Sequence, residues 1–171
     1  IESDGAGQLS FVAKPSAGFT LGTEQATTSG TSVTFSSIPA GTTMIIMMLE
    51  GVSYTAGVNM DVTIGDAGGL ETSGYVHNSA NIITSAADMG LSTTTEFGAL
   101  TNPDSGGTIS GQYILCLKDS ANFTWTCTLA VRLNTTTLIW GAGVKSLSAE
   151  LTQISLTGGT FDAGSVNIMY Q

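Results

Sequence analysis

Residues able to do acid–base chemistry are scarce in this sequence. His77 is the only histidine, and a Ser-His-Asp triad would need it beside an exposed nucleophile. The G-x-S-x-G signature, which presents such a serine on a strand-turn-helix, is absent from the sequence. We therefore expect no catalytic residue and interpret His77 as a hydrogen-bonding residue at the surface.

Four acidic residues lie close together in the sequence: Glu50, Asp61, Asp66 and Glu71. Two carboxyl groups on either side of a sugar would suit a glycosidase. Oxygen ligands would also suit Ca²⁺, for which Asp66 and Glu71 are the candidates, although they lack the dense D-x-D-x-D-G spacing of a calcium loop. The alternative is that these acids are solvated groups that keep a sparsely charged chain in solution.

A second group of residues has the chemistry of sugar recognition. Aromatic rings offer a surface for stacking, and neighbouring polar groups fix the orientation of a ligand. The candidates for binding a receptor glycan are Tyr75, His77, Asn78 and Trp140. Trp140 is expected at the end of a short strand that Gly141–Gly143 closes, and Tyr75 near another strand end. Packing in the core or between subunits is the alternative for both rings.

The two cysteines lie on the strands of a predicted hairpin. If Lys118 pairs with Phe123, the sulfur atoms of Cys116 and Cys127 become diagonal neighbours on one face. A pairing shifted by two would place them directly opposite and allow a disulfide. The alternative is two small buried apolar residues. Two cysteines and one histidine cannot complete a zinc site, so we expect no cofactor.

Composition excludes several classes of function. The 171 residues, with 42% apolar and 10% charged residues, suit one folded domain over 1–171, with 1–27 as a possible N-terminal arm. Four Lys and Arg stand against thirteen Asp and Glu, a net charge of −9, which argues against binding nucleic acid or an anionic membrane surface. The longest strongly apolar run, Met44–Leu49, is far shorter than the roughly 20 residues of a membrane-spanning helix. We therefore expect no membrane insertion.

Alternation of apolar and polar residues, with turns recurring at roughly 8–12 residues, indicates an all-β protein. We expect an antiparallel β-sandwich with a jelly-roll-like strand order. Thr43–Ser53 has apolar residues on both faces, which is typical of a central strand. In the strand expected over Gly74–Ser85, Tyr75 and His77 share one face. Trp125, which alternates with other apolar residues, is expected in the core.

Three stretches of the sequence resemble one known family. They contain T-S-G-T, S-I-P and G-V-S within Thr28–Ser53, I-G-D-A-G-G-L-E-T-S-G-Y in Ile64–Tyr75, and F-D-A-G-S-V-N-I-M-Y within Thr160–Tyr170. Together they resemble a β-rich domain at the C-terminal ends of bacteriophage tail-fibre and other virion appendage proteins. The resemblance spans Thr28 to Tyr170.

The resemblance implies a non-enzymatic structural component of the virion, on an appendage or on the capsid surface. It implies a homotrimer that contacts other virion proteins. Relatives often carry basic residues after the S-I-P turn, where this chain has an apolar strand. We therefore expect Met44, Ile46 and Met48 to lie at an oligomer interface. Binding of a host-surface glycan is the alternative function, and glycan degradation is the third.

Overall fold

The computed structural model describes residues 2–3, 9–10, 18–55, 58–83, 86–99 and 107–171, and the side chains of 18–55, 58–83, 90–99 and 107–171. Strands and turns make up these ranges, and no helix occurs in them. Accordingly, no helix of the described ranges has the length and apolar character needed to cross a membrane.

Sixteen strands follow one another along the described ranges. The first eight are β1 (Glu2–Ser3), β2 (Leu9–Ser10), β3 (Thr20–Leu21), β4 (Gln25–Ala26), β5 (Ser32–Phe35), β6 (Met44–Tyr54), β7 (Met60–Asp66) and β8 (Gly69–Leu70). The other eight are β9 (Tyr75–Ile83), β10 (Ala86–Thr93), β11 (Phe97–Ala99), β12 (Ile109–Asp119), β13 (Thr124–Leu133), β14 (Thr137–Ser146), β15 (Gln153–Thr157) and β16 (Phe161–Tyr170).

Apart from β1 and β2, which pair only with each other, the strands form a large sheet and a small sheet, and all pairings are antiparallel. The large sheet has the order β10-β9-β14-β13-β12-β6-β16-β3, and β4 also pairs with β16. The small sheet has the order β11-β7-β15-β5, and β8 pairs with β7. The predicted all-β antiparallel sandwich is confirmed. In sequence order the chain crosses repeatedly between the two sheets, a feature that jelly rolls share.

One hydrophobic core lies between the sheets. In β13, Trp125, Cys127, Leu129 and Val131 are buried, while the residues between them are exposed or half-buried. Because side chains alternate across a strand, this pattern directs every second residue into the core. Core residues of both sheets belong to one continuous cluster. Burying each large apolar side chain contributes about 1.5–3 kcal/mol.

The apolar strand β6 is central, as its sequence predicts. It pairs with β12 on one side and with β16 on the other. Its inward side chains, among them Ile45, Met47 and Leu49, are buried in the core. The outward side chains Met44, Ile46 and Met48 are half-buried. The first set explains the strand's place in the sheet, whereas the second leaves an apolar surface on the other side.

The β12–β13 hairpin corrects the predicted pairing of the cysteines. Cys116 pairs with Thr126, one position away from the predicted register. A bulge at Lys118 adds one residue to β12 near the turn. From Leu117 back to Ile109, each residue of β12 is therefore paired one position away from the predicted partner, on the opposite face. Cys127 therefore faces the core, Cys116 faces outward, and both thiols are free. The predicted same-face arrangement is wrong, and a disulfide cannot form between opposite faces.

Part of the predicted N-terminal arm belongs to the sandwich. β3 and β4 pair with β16 and complete one edge of the large sheet. Thr27, which follows β4, is buried and donates a hydrogen bond from its hydroxyl to the backbone oxygen of Ala163 at 2.8 Å. Of residues 1–17, the structure describes the backbone of β1 and β2, which pair with each other, and the rest lies outside the described residues.

Candidate functional site: the outer face of the large sheet

The side of the large sheet that points away from the small sheet is called the outer face here. Cross-strand pairing aligns its side chains in rows. One row runs from Asn78 through Ala142, Thr128 and Ile114 to Ile46. Residues paired in this way share a face of the sheet, because directly opposite side chains point the same way.

The next row brings two predicted sites onto the same surface. It runs from Ala80 through Trp140, Ala130 and Gln112 to Met48. Trp140 was a candidate for receptor binding, and Met48 for an oligomer interface. Three strand spacings separate them, or roughly 14 Å. The two predicted sites are therefore parts of one face.

The position of Trp140 differs from its predicted place at a strand end. Strand β14 continues through Gly141–Gly143 to Ser146, so Trp140 lies inside the strand. Its side chain is 62% exposed on the outer face. Asn78, also exposed, is its diagonal neighbour on β9. These are the two predicted receptor-binding residues that the structure leaves accessible.

Tyr75 and His77 lie on the opposite face of β9, in the core, each 1% exposed. The prediction that they share a face is correct, but their assignment to an accessible binding site is wrong. The Tyr75 hydroxyl donates to the backbone oxygen of Glu71 at 2.9 Å and accepts from the backbone N–H of Ile64 at 2.9 Å. A ring held in this way is a structural element of the core.

His77 occupies space that two glycines of the neighbouring strand provide. A Cβ at Gly143 would lie 2.7 Å from His77 Nδ1 and 2.8 Å from the backbone oxygen of Val76. A Cβ at Gly141 would lie 2.7 Å from Cβ of Ser79. Close approach of this kind is a reason for glycine inside a strand. The glycines that suggested a turn are thus explained by the packing of β14 against β9.

The environment of His77 is polar but closed to solvent. Its Nε2 lies 2.8 Å from the backbone oxygen of Gly98, which also accepts a hydrogen bond of 2.8 Å from the Ser79 hydroxyl. Phe97 packs edge-on against the imidazole, with ring centroids 5.7 Å apart. Burial lowers the pKa of His77, since the cation would be costly there. The neutral ring is a packing and hydrogen-bonding group.

Strand β9 carries polar and apolar residues on both of its faces. Its inward positions hold Tyr75 and Ile83 but also the polar residues His77, Ser79 and Asn81, while its outward positions hold Asn78 and Ala80 but also Val76 and Ile82. Large apolar side chains that cluster on an outward face are usually found where another surface covers them. In the sequence of β9, apolar and polar residues alternate. This alternation alone could not tell whether the residues in step with Val76 or those in step with His77 face the core.

Seven large apolar side chains are exposed in the described part of the chain, and three of them lie together on β9 and β14. They are Ile82 at 45%, Leu138 at 44% and Trp140 at 62% exposure, and are called the Trp140 patch. Ile82 pairs with Leu138 and Trp140 with Ala80, so the three lie in adjacent rows. Val76, 64% exposed, pairs with Val144 nearer the other end of the face, four residues from Trp140 or roughly 14 Å along the strand. Sequence analysis found Trp140 and missed Ile82 and Leu138.

A shallow depression of about 290 Å³ adjoins the Trp140 ring. Its lining residues are mainly small or apolar: Ala80, Ile82, Thr128, Trp140, Gly141 and Ala142. Typical small-molecule sites have roughly 300–1,000 Å³ and a few convergent polar groups. This depression is smaller, open and nearly without polar groups. It is better suited to an apolar side chain of a protein than to a small polar ligand.

Charged residues on this face lie at one end of it. Arg132 is exposed at one end of β13, where it pairs with Leu138 and adjoins the Trp140 patch. It also pairs with Ser110 of β12, and Glu50 of β6 is exposed at this same end. In the rows that end at Met48, Ile46 and Met44, the outward residues of β9, β14, β13, β12 and β6 are uncharged.

The calcium candidates Asp66 and Glu71 lie together, but their carboxylate oxygens accept hydrogen bonds from other groups of the protein. The Ser148 hydroxyl donates to Asp66 Oδ2 at 2.5 Å, and the Ser148 N–H donates to Glu71 Oε1 at 2.8 Å. The buried Lys145 ammonium forms a salt bridge with Glu71. Within the described residues, no group of three His, Cys, Asp or Glu side chains has the arrangement of a metal site.

Hydrogen bonding sets the charge state of both acids. The hydroxyl of Ser148 and the N–H of Gly68 lower the pKa of Asp66. Burial opposes ionisation of Glu71, but hydrogen bonds from Lys145 and Ser148 outweigh it and lower the pKa. The ionised carboxylates of Asp66 and Glu71 bind Ser148 and so hold the segment after β14 against the β7–β8 turn. The two acids therefore have a structural role.

The other two acids of the proposed cluster lie elsewhere. Glu50 is on β6 of the large sheet, opposite Ser165. Asp61 is on β7 of the small sheet, opposite Gly98, where burial and the nearby Glu96 raise its pKa to about 7. The four acids thus do not form one site. Of the four, Asp66 and Glu71 lie together, and because the pKa of both is lowered, neither is suited to the protonated acid that glycoside hydrolysis needs.

Comparison with known proteins does not assign this chain to a family. No protein-family model matches the chain, and no curated protein or solved structure matches it significantly. The resemblance to phage appendage domains remains a prediction from the quoted motifs.

Proposed function

We propose that this protein is a non-enzymatic structural domain of a bacteriophage particle, part of an appendage or of the capsid surface. It acts by contact with other proteins through the outer face of the large sheet. The observation that carries this proposal is that this face is uncharged apart from Arg132 and Glu50 at one end, and partly apolar, in a chain of net charge −9. The virion as its location follows from the three motifs that resemble appendage domains.

The exposed apolar side chains of β9 support a contact function. Monomeric proteins seldom leave large apolar side chains clustered in water while placing polar ones inside. Here Val76 and Ile82 face solvent, and His77 is enclosed. The face as a whole offers contact area and few convergent polar groups, which suits association better than turnover of a substrate.

The partners in this proposal are copies of the same chain, as a homotrimer, and neighbouring virion proteins. Met44, Ile46 and Met48 lie on the same face as the Trp140 patch. They are half-buried by their own neighbours in the sheet, so they form the less protruding part of the contact surface.

A glycan on the host surface is the second candidate partner. The exposed ring of Trp140 and the exposed amide of Asn78 favour it, since diagonal neighbours across a strand pair lie roughly 7–8 Å apart. A ring for stacking and an amide for hydrogen bonding are then within reach of one sugar. The buried Tyr75 and His77 no longer contribute to that site.

Labelling of intact particles tests the proposed function. Antibodies raised against the folded chain should decorate purified particles of the phage that encodes it, and peptides of the chain should be found in those particles by mass spectrometry. Absence of the chain from purified, infectious particles would overturn the virion assignment. A glycan array probed with the wild-type chain and with Trp140→Ala tests the second candidate.

A further inference from the structure

We infer that the Trp140 patch docks against a second copy of this chain, with the Trp140 ring of one copy seated in the depression beside Trp140 of its neighbour. This inference deepens the proposed function by naming the partner of the outer face, and in that sense rests on it. It also has a separate test, because self-association is measured on the isolated chain.

The first argument is that a projection and a recess of matching chemistry lie side by side. The Trp140 side chain protrudes, being 62% exposed in the middle of β14. The adjoining depression of about 290 Å³ is bordered by Ala80, Gly141 and Ala142, whose small side chains leave room above the sheet. When a projection and its recess are neighbours, rotation about a two-fold or a three-fold axis fills both at once.

The second argument is the size of the face. From β9 to β16 the outer face spans six strands, or roughly 29 Å, and the outward residues from Leu138 to Val144 span roughly 20 Å along the strand. The flat area is about 600 Å² on each copy, or about 1,200 Å² for two copies, before the relief of the side chains is counted. Specific interfaces bury about 1,200–2,000 Å² in total, so two outer faces reach the lower end of that range.

The third argument is charge. Two copies that each carry −9 repel one another, and the repulsion is smallest where the approaching faces carry no acids. Apart from the end that carries Arg132 and Glu50, the outer face offers such a surface. A polyanionic partner without apolar groups would leave the Trp140 ring in water.

Hot-spot behaviour at Trp140 follows from this arrangement. Tryptophans seated in a recess commonly account for much of the affinity of an interface. Trp140→Ser should therefore weaken self-association about 30-fold or more. Ala142→Arg should do the same without removing the ring, because Ala142 is exposed and a long charged side chain there would fill the depression.

Size-exclusion chromatography with light scattering on the isolated chain, from about 1 to 100 μM, tests the inference. The wild type should elute as an oligomer, with three chains expected from the resemblance. Trp140→Ser and Ala142→Arg should shift towards a single chain at equal concentration. Phe19→Ser, a matched control at an aromatic residue that is 45% exposed outside the Trp140 patch, should leave the oligomer unchanged.

A monomeric wild-type chain, or an oligomer that both patch variants keep, would overturn the inference. In that case, detection of the chain in particles would leave the proposed function standing with a different partner. Conversely, an oligomer lost in both patch variants supports the inference even if the chain is absent from particles, and the virion assignment alone would fail. Circular dichroism of each variant checks that it is folded.

Discussion

Strands β9 and β13 lie on either side of β14 and distribute their residues differently. β13 points Trp125 and Leu129 into the core and Thr126 and Thr128 outward. β9 buries His77 beside Tyr75 and exposes Val76 and Ile82. One strand has the usual arrangement of a half-solvated sheet, whereas the other leaves two large apolar side chains in water. The difference indicates that the β9 side of the outer face is built to be covered by another surface.

The largest difference in the free energy of unfolding should be between two single variants, each of which replaces one tryptophan with alanine. Trp125 is 1% exposed and fills the core, so Trp125→Ala should lower the free energy of unfolding by about 3–5 kcal/mol. Trp140→Ala should change it by less than about 0.5 kcal/mol, measured on the single chain, because the ring contributes little to the core. Urea unfolding followed by circular dichroism measures both. Equal losses would show that Trp140 belongs to the fold and not to a contact surface.

The next largest effect should come from the inward side of β14. Gly143→Ala places a Cβ 2.7 Å from His77 Nδ1 and 2.8 Å from the backbone oxygen of Val76, so β9 must shift. Such overpacking should cost about 1–3 kcal/mol. Ala142→Ser, one residue away on the outer face, is the control and should be nearly neutral. Thermal unfolding of the two variants compares the faces directly, and a neutral Gly143→Ala would contradict the packing described for His77.

The buried histidine should make stability depend on pH. Because burial lowers the pKa of His77, the unfolded chain takes up the proton first as the pH falls below about 6.5. The stability that the neutral ring provides is therefore present above that pH and lost below it. At pH 5 the loss should reach at most about 2 kcal/mol. His77→Gln, which does not titrate, should show a weaker decline between pH 7 and pH 5; parallel curves would contradict a shifted pKa.

The smallest effect on stability should come from redox conditions. Cys127 is buried and its pKa is raised by burial, whereas Cys116 is half-buried on the outer face. A thiol reagent should therefore label Cys116 in the native chain and Cys127 after unfolding. Reducing agent should leave the unfolding midpoint unchanged, since no disulfide joins the two. Mass spectrometry should show one label per native chain, on Cys116. A disulfide between Cys116 and Cys127 would contradict the observed register.

Local pattern was enough to predict the fold class and the place of β6. The period of two gave Tyr75 and His77 a common face and placed Trp125 in the core, and both predictions are confirmed. Pattern could not say which face of β9 the small sheet covers, because that depends on strand order between distant segments. It also misread Gly141–Gly143 as a turn, since glycine serves turns and close strand packing alike. The hairpin register failed at a single bulge, which has no clear signal in composition.

The pairing of β6 with β16 has a consequence for synthesis of the chain. Residues 44–54 must wait for residues 161–170 before both of their edges are hydrogen-bonded. During translation, the Met44–Leu49 segment therefore keeps one unpaired edge, which can pair with other chains, until residues 161–170 have been synthesised. Slow closure of such distant segments is typical of β topologies. Deletion of residues 161–170 should thus yield aggregated rather than soluble protein.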